Sequence, residues 1–316
     1  MNDKKEIFEN YPVGKAVTSM ALPTVLSTLV MVIYNLADTY FVGALENSVE
    51  TAAVTLAAPV ILAFNAVINL FGVGCSTMMG RSLGRGDEDT VRKTATFGVY
   101  CTVVFGILFS VGCTVFMKPL LRLLGADATN AEATAQYLKW TVCFGATPSI
   151  LNVVLSFLVR AEGRSVHASI GSMSGCVLNV ILDPFFILPF GLGMKAAGAG
   201  CATFISNCAA CAYYAVLLTA KRRETYISVD PKYFTLRRDI VSEVLRVGFP
   251  AAIQNLLNVT SMAVLNNFAA VNDDAVAAMG ITQKINNVAL YIVMGISAGV
   301  TPLLSYNFPL LVLEAV

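Results

Sequence analysis

The chain has 316 residues, 56% of them apolar and 13% charged, with a mean hydropathy of +0.71. That balance excludes a soluble domain built around one core and describes a chain mostly immersed in lipid. The net charge is +1, a near-neutral sum that conceals an uneven distribution of Lys and Arg, and in a membrane protein the distribution matters more than the sum.

Eight apolar stretches, each long enough for the roughly 20 residues that cross hydrocarbon as a helix, are bounded by charged residues or by Gly and Pro. They fall at about 16–44, 52–79, 91–117, 133–159, 167–190, 195–219, 241–270 and 275–305, within roughly 4 residues at each boundary. The first run is too long for a signal-peptide core and lacks a convincing small-residue cleavage site, so it is expected to be the first span.

Lys and Arg near span ends stay in the cytoplasm. With the N-terminus inside, the inner side holds Lys4, Lys5, Lys15, Arg81, Arg85, Arg92, Lys93, Arg160, Arg164, Lys221, Arg222, Arg223, Lys232, Arg237, Arg238 and Arg246. Only Lys118, Arg122, Lys139 and Lys195 fall outside, and Lys284 lies within the eighth span. The expected location is the cell membrane, multi-pass, with a cytoplasmic N-terminus.

Between spans six and seven runs the only sizeable polar connection, Lys221 to Asp239, with Asp230-Pro231 as a turn. It divides the chain into residues 1–220, a six-helix lobe; 221–240, a basic cytoplasmic linker; and 241–316, a partial second lobe of two helices. Its basic content is explained by the topology rule, so nucleic acid is not an expected partner. After it the start of the chain recurs: aligning Pro23 with Pro250 pairs Leu29 with Leu256, Val32 with Val259 and Phe41 with Phe268. Further on, Ala53-Val54 falls opposite Ala275-Val276, and Gly72 and Gly74 opposite Gly295 and Gly299. A unit of six spans enters twice from the same side, which predicts parallel repeats about an axis along the membrane normal. Copy two stops after two helices, so the expectation is a chain lacking about four.

Four segments resemble the motifs of the multidrug and toxic compound extrusion (MATE) family: Asn35-Leu36-Ala37-Asp38-Thr39, Arg160-Ala161-Glu162-Gly163, Asn179 to Ile187, and Gly198-Ala199-Gly200-Cys201-Ala202-Thr203. The resemblance covers residues 10 to about 308. It implies an all-α polytopic helix bundle of two six-helix lobes that exports organic cations in exchange for H⁺ or Na⁺, of which this chain would supply the first lobe and a third of the second. The tail after Phe308 departs from the family pattern.

The residues themselves point to a cation-coupling site. Spans one and five both run outward, carrying Asp38 and Asp183 past the midplane into one leaflet, where acids are costly and usually functional. Asn179 lies four residues before Asp183, on the same helical face, and Thr203 enters from the outer end of span six at a comparable depth. Burial and a nearby like charge raise a carboxylate pKa, which suits a proton carrier; the same oxygens from Asp38, Asp183, Asn179 and Thr203 suit Na⁺. The sequence leaves both open, and it implies no other cofactor and no tightly bound metal. The structural alternatives are that Asp38 caps a helix end, that Asp183-Pro184 is a local break, and that Asn179 and Thr203 join helices.

Pro23 is the candidate hinge, because bending span one would move Asp38. Met31, Tyr34, Phe64, Met262 and Tyr291, on spans one, two, seven and eight, are candidates for the wall of a substrate cavity, although Met and aromatic residues are also ordinary core. Other matches are set aside. Gly295-Ile296-Ser297-Ala298-Gly299 has the hydrolase spacing but no preceding strand, and His167, the only histidine, is placed in an inner loop far from it. All eight cysteines fall in predicted spans; Cys208 and Cys211 form C-x-x-C with no partner pair, so zinc is not expected. Asn258-Val259-Thr260 matches a glycosylation acceptor only by spacing.

The leading expectation is therefore cation-coupled export of amphipathic or cationic small molecules, in contact with the lipid bilayer, with the oligomeric state undetermined. The rivals are a flippase for lipid-linked saccharides or cell-wall precursors, disfavoured because no Lys or Arg occurs between Val17 and Gly80 to hold pyrophosphate, and a non-transporting fragment. An enzyme is disfavoured for want of a catalytic pair.

Overall fold

The structure, a computed structural model, describes the backbone of residues 7–269 and 273–314, and the side chains of these except at 259, 262–285, 287 and 310–314. Among the described residues all regular structure is helical. A backbone in lipid must satisfy its own N–H and C=O groups, and apolar runs of this length do so as helices. Seven helices are long and apolar enough to cross a membrane, or eight when one bent pair is a single span. They are α1 (Val13–Gly43), α2 (Ser48–Gly84), α3 (Glu88–Val115), α4 (Ala131–Phe144 with Ala146–Ala161), α5 (Ser165–Ile187), α6 (Ala196–Ala220), α7 (Arg238–Ala269) and α8 (Asp273–Glu314). The protein is a multi-pass membrane helix bundle.

The fourth span is bent by 50°. A π-helical turn over Lys139–Phe144 leads into Gly145, and Pro148 cannot donate a backbone bond in the next turn. Each is an ordinary cause of a kink. A second π-helical turn, Asn69–Val73, lies inside α2. The connection after α3, at the end where α1 finishes and called here the outer end, carries a short helix, Met117–Leu123. At the end where α1 begins, here the inner end, α2 turns into α3 through Gly86, whose φ of +74° is left-handed backbone. The turn closes with Gly86 N–H on the Leu83 carbonyl (3.0 Å) and Asp87 N–H on the Ser82 carbonyl (2.9 Å).

A single hydrophobic core runs through the first six helices. Cys75, Leu138, Ile150, Leu158, Ile187 and Tyr214 are fully buried in it, together with Ile240 and Val244 from α7. Helix α8 lies along α1 and the inner part of α2, while α7 lies along α2. Two polar clusters fix the ends. At the outer end Glu50, buried in the first turn of α2, accepts the Ala196 N–H that opens α6 (3.2 Å) and lies 3.6 Å from Lys195 Nζ. An anion at a helix N-terminus is stabilised by the helix dipole.

At the inner end the connection between α6 and α7 does not hang free as a linker. The buried Glu162 carboxylate accepts the N–H groups of Tyr226 and Ile227 and the Thr225 hydroxyl. Thr96 donates to the Ser228 carbonyl (2.9 Å), Tyr100 to the Val229 carbonyl (3.0 Å), and Arg164 pairs with Glu224 at 3.1 Å. The basic segment is thereby fastened to the ends of α3, α4 and α5. The inner end of α8 is held as well: Tyr306 stacks on Phe8 (4.6 Å between ring centres) and donates to Glu9, while Arg81 of α2 pairs with Glu243 of α7.

One sequence reading changes. His167 belongs to the first turn of α5, not to a loop, and its Nδ1 lies 3.1 Å from the Tyr213 hydroxyl. Cys208 and Cys211 are free thiols on α6, with Cys211 Sγ donating to the Pro148 carbonyl. Asn258 and Thr260 lie inside the helical stretch of α7, as expected from the sequence.

Candidate cation site in the six-helix bundle

Asp183 is fully buried on α5, four residues before that helix ends at Ile187, and the helix continues through Pro184. Asp38 is half-buried on α1, five residues before Gly43. Neither acid sits at a helix cap, and the two lie close enough for their charges to act on one another. Asn179, one turn before Asp183, joins it to α6. In the amide orientation that matches donors to acceptors, its nitrogen donates to Asp183 at 2.9 Å and 3.3 Å, and its oxygen accepts the N–H (3.0 Å) and the hydroxyl (3.2 Å) of Thr203. The four residues singled out in the sequence are thus brought to one place by α1, α5 and α6. One oxygen, Oδ1 of Asp38, is buried with no hydrogen-bond partner among the described residues, which is costly unless a cation, a proton or water meets it.

Two phenols complete the polar surroundings. Tyr34, one turn before Asp38, lines the same small cavity as Thr203 and lies within electrostatic reach of both acids. Tyr137 of α4, almost fully buried, faces Asp38, Asp183 and Tyr34. Sequence reading passed over Tyr137 because nothing local connects it to residues some forty and a hundred positions away. Below the acids a cavity of about 60 Å³ is lined by Tyr34, Asn152, Ser172, Asn179, Thr203 and Asn207 among others. Asn152 donates to Asn207 at 3.0 Å, and Asn207 to the Thr203 carbonyl at 2.9 Å. A drug-sized ligand needs about 300 Å³ or more; this space suits water or a small ion.

A signal for these extra residues does exist in the sequence. On α4 Asn152, Ser156 and Arg160 recur at four-residue spacing; on α5 Ser165, Ser169, Ser172, Asn179 and Asp183 share one face; on α6 Thr203, Asn207 and Tyr214 do the same. The three polar stripes face one another, and Tyr214, fully buried, ties them by donating to the Ala168 carbonyl (2.7 Å) and meeting the Ser172 hydroxyl at 3.3 Å.

The candidate cavity wall fares differently. Tyr34 lines the small polar cavity, and Met31 is half-buried on α1. The half-buried Tyr291 of α8 accepts a hydrogen bond at its carbonyl from Thr28 of α1 (3.1 Å). Phe64 is buried in the core with its ring edge-on to Phe109 of α3 (5.3 Å). The side chain of Met262 lies outside the described residues. Pro23 sits half-buried in α1, which runs as one continuous helix on either side of it.

Comparison with known proteins gives a consistent pattern. The MatE family model matches residues 23–185 and 249–308. Multidrug export protein MepA of Staphylococcus aureus (strain MSSA476) is 34% identical over 303 residues, which is 95% of this chain and 66% of MepA, so the chain spans just under two thirds of the curated relatives it matches. Among solved structures, a MATE protein in complex with MaD3S superposes with a TM-score of 0.89 at 26% identity, over 96% of this chain and 68% of the other. A multidrug resistance MATE transporter of the MOP superfamily in its outward-facing conformation superposes with a TM-score of 0.87, at 26% identity, over 93% and 64%.

Proposed function

The chain belongs to the MatE family, and on that premise we propose that it forms the cation-binding lobe and part of the substrate pathway of an exporter of amphipathic, often cationic compounds, coupled to H⁺ or Na⁺. The observation that carries this reading is the Asp38, Asp183, Asn179 and Thr203 cluster with its unpartnered carboxylate oxygen. A buried pair of acids holds at most one negative charge comfortably. A proton or Na⁺ relieves the repulsion, and its loss to the inner side would restore it. The site takes no prosthetic group, and the chain acts as a transporter and not as an enzyme.

In this reading residues 1–220 form the first lobe, 221–240 the connection and 241–316 the first two helices of the second lobe, in the cell membrane with the N-terminus in the cytoplasm. The two segments matched by the family model begin at Pro23 and at Phe249, next to the Pro23 and Pro250 pairing of the repeat, which supports parallel lobes. With Arg81 paired to Glu243 and Tyr306 seated on Phe8, the inner end is closed between α1, α2, α7 and α8. That supports an outward-facing arrangement in which substrate, held against Met31, Tyr34 and Tyr291, leaves between those helices. Pro23 is the hinge of the inward transition: Pro23→Ala is expected to leave cation binding intact and to slow export.

The test has two arms. Purified chain is titrated with Na⁺ at several pH values by calorimetry; saturable binding that weakens on acidification is expected, and its loss in Asp183→Asn and Asp38→Asn. Cells lacking their own exporters and expressing the chain are loaded with ethidium. Binding unchanged in both variants rejects the site, and ethidium retention equal to the empty vector rejects export by this chain.

A further inference from the structure

The fastened connection between α6 and α7 creates a second concavity at the inner end, away from the cation site. It measures about 520 Å³ and is bounded by the first turns of α3, the last turns of α6 and the connection itself, with Arg92, Arg222, Lys232, Asp230, Tyr233 and Leu218 in its wall. Its charge is three cations against one carboxylate. Asp230 is already occupied, because Lys232 Nζ lies 3.0 Å from it and the Lys232 N–H donates to it at 3.2 Å. The guanidinium groups of Arg92 and Arg222, by contrast, form no ion pair within 4 Å among the described residues, although Arg222 lies within electrostatic reach of Asp230.

Arg92 is also held in place. Its guanidinium lies over two phenol rings, 5.6 Å from the centre of Tyr226 and 5.9 Å from that of Tyr233. Tyr226 is anchored in turn by donating to Glu88 (2.9 Å), and its N–H is held by Glu162. A preorganised, uncompensated guanidinium is the side chain best matched to the two oxygens of a phosphate. Ser228, in the same wall, accepts the Asp230 N–H at its hydroxyl oxygen (3.2 Å) and can donate its own proton inward.

The opposite side of the concavity is apolar. Ala215 and Leu218 of α6 contribute to the wall, and the adjacent Val216 is 67% exposed. Helices α3 and α6 each lie on α4 but scarcely touch one another, and the flank of α6 beside the concavity is exposed at Ala215 and Val216. Basic pockets at the cytoplasmic side of helix bundles suit anionic headgroups. From this juxtaposition of two guanidiniums that form no close ion pair with an exposed apolar flank of α6, we propose that the site binds the phosphate of an anionic glycerophospholipid, with an acyl chain lying along that flank. A bound lipid would pin the connection to α3 and thereby set the inner ends of α6 and α7.

The test is native mass spectrometry of the purified chain with phosphatidylglycerol, phosphatidylcholine or inorganic phosphate. One phosphatidylglycerol per chain is expected to survive mild activation, and phosphatidylcholine is not. Arg92→Gln and Arg222→Gln are each expected to lower occupancy about tenfold, the equivalent of one charge-assisted hydrogen bond. Arg223→Gln, the adjacent cation that does not line the pocket, is expected to leave it unchanged. Equal losses for Arg222→Gln and Arg223→Gln would mean diffuse surface charge and overturn the proposal. So would displacement of the lipid by millimolar phosphate, which would make the site one for free phosphate. Arg222 is exposed, so its variant keeps the test valid even if Arg92→Gln does not fold.

Discussion

The Thr28 hydroxyl of α1 donates to the carbonyl of Tyr291, 263 positions along the chain on α8, at 3.1 Å. The contact is close because small residues line it. A Cβ added at Gly299 would stand 2.6 Å from Ala21 Cα and 2.8 Å from the Met20 carbonyl oxygen, both backbone atoms that cannot swing aside. Gly299→Val is therefore expected to push α8 off α1 and to destabilise the bundle by about 1–3 kcal/mol, the usual range for overpacking. Thermal melting in detergent checks this. Gly14→Val, where an added Cβ meets nothing within 4 Å, should melt near the parent temperature, and equal melting of the Gly299 variant would show that the helices separate without cost.

Glu162 makes the corresponding prediction for the inner connection. The carboxylate is 1% exposed and satisfies two backbone N–H groups and one hydroxyl. In Glu162→Ala these donors lose their charged acceptor, and each hydrogen bond to a charged group contributes about 1.5–3 kcal/mol. The connection is expected to detach while the spans stay folded. Trypsin cutting at Lys221, Arg222 and Arg223 should then quicken at least tenfold with no loss of helical signal; cutting at the parental rate would mean that Thr96, Tyr100 and the Arg164–Glu224 pair suffice to hold the segment.

Asp87 gives a prediction with a pH sign. It caps α3 by accepting the N–H (3.0 Å) and the hydroxyl (2.6 Å) of Thr90, and these two bonds hold its carboxyl below the usual carboxylate range. A group whose pKa is lower folded than unfolded stabilises above its unfolded value, about 3.9, and loses that contribution as pH falls through the folded value. Asp87→Ala is thus expected to cost about 1 kcal/mol near neutral pH, a typical cap contribution. The two proteins should converge in acid, because the parent loses the cap there and the variant has none to lose. A constant gap in melting temperature from neutral pH to below pH 4 would contradict the assignment.

How far the sequence carries is visible in the same residues. Eight spans were legible because hydrocarbon demands some 20 apolar residues per crossing, and Asp183 with Asn179 was legible because four residues make one turn. The 50° bend at Gly145 was not, since hydropathy carries no angle, although Gly145 and Pro148 stand where a kink needs them. That Phe64 packs edge-on against Phe109 of α3 was not legible either, because nothing local in the apolar run around it says which helix each face meets. Tyr137 was missed, and Glu162 was singled out only as part of a resembling segment, for a common reason: each acts on residues dozens of positions away, and only the folded bundle brings them together.

Arg81 and Glu243 close the inner end between α2 and α7, with the Arg81 guanidinium also 5.4 Å from the Phe308 ring of α8. Both side chains are about a third exposed, 31% and 34%, so solvent screens the pair and its contribution to stability is expected to be only about 0.5 kcal/mol. Its larger effect should be on the opening of that end, since three helices meet at one guanidinium. Arg81→Glu and Glu243→Arg each place like charges together, and both are expected to raise the rate at which Ser305, now 8% exposed between α2 and α8, reacts with an aqueous thiol reagent after replacement by Cys. The charge-swapped double variant should return that rate toward the parental one. Labelling that stays fast in the double variant would show that the closed end depends on the aromatic stack of Phe8 on Tyr306 and on the Phe308 contact, and not on the ion pair.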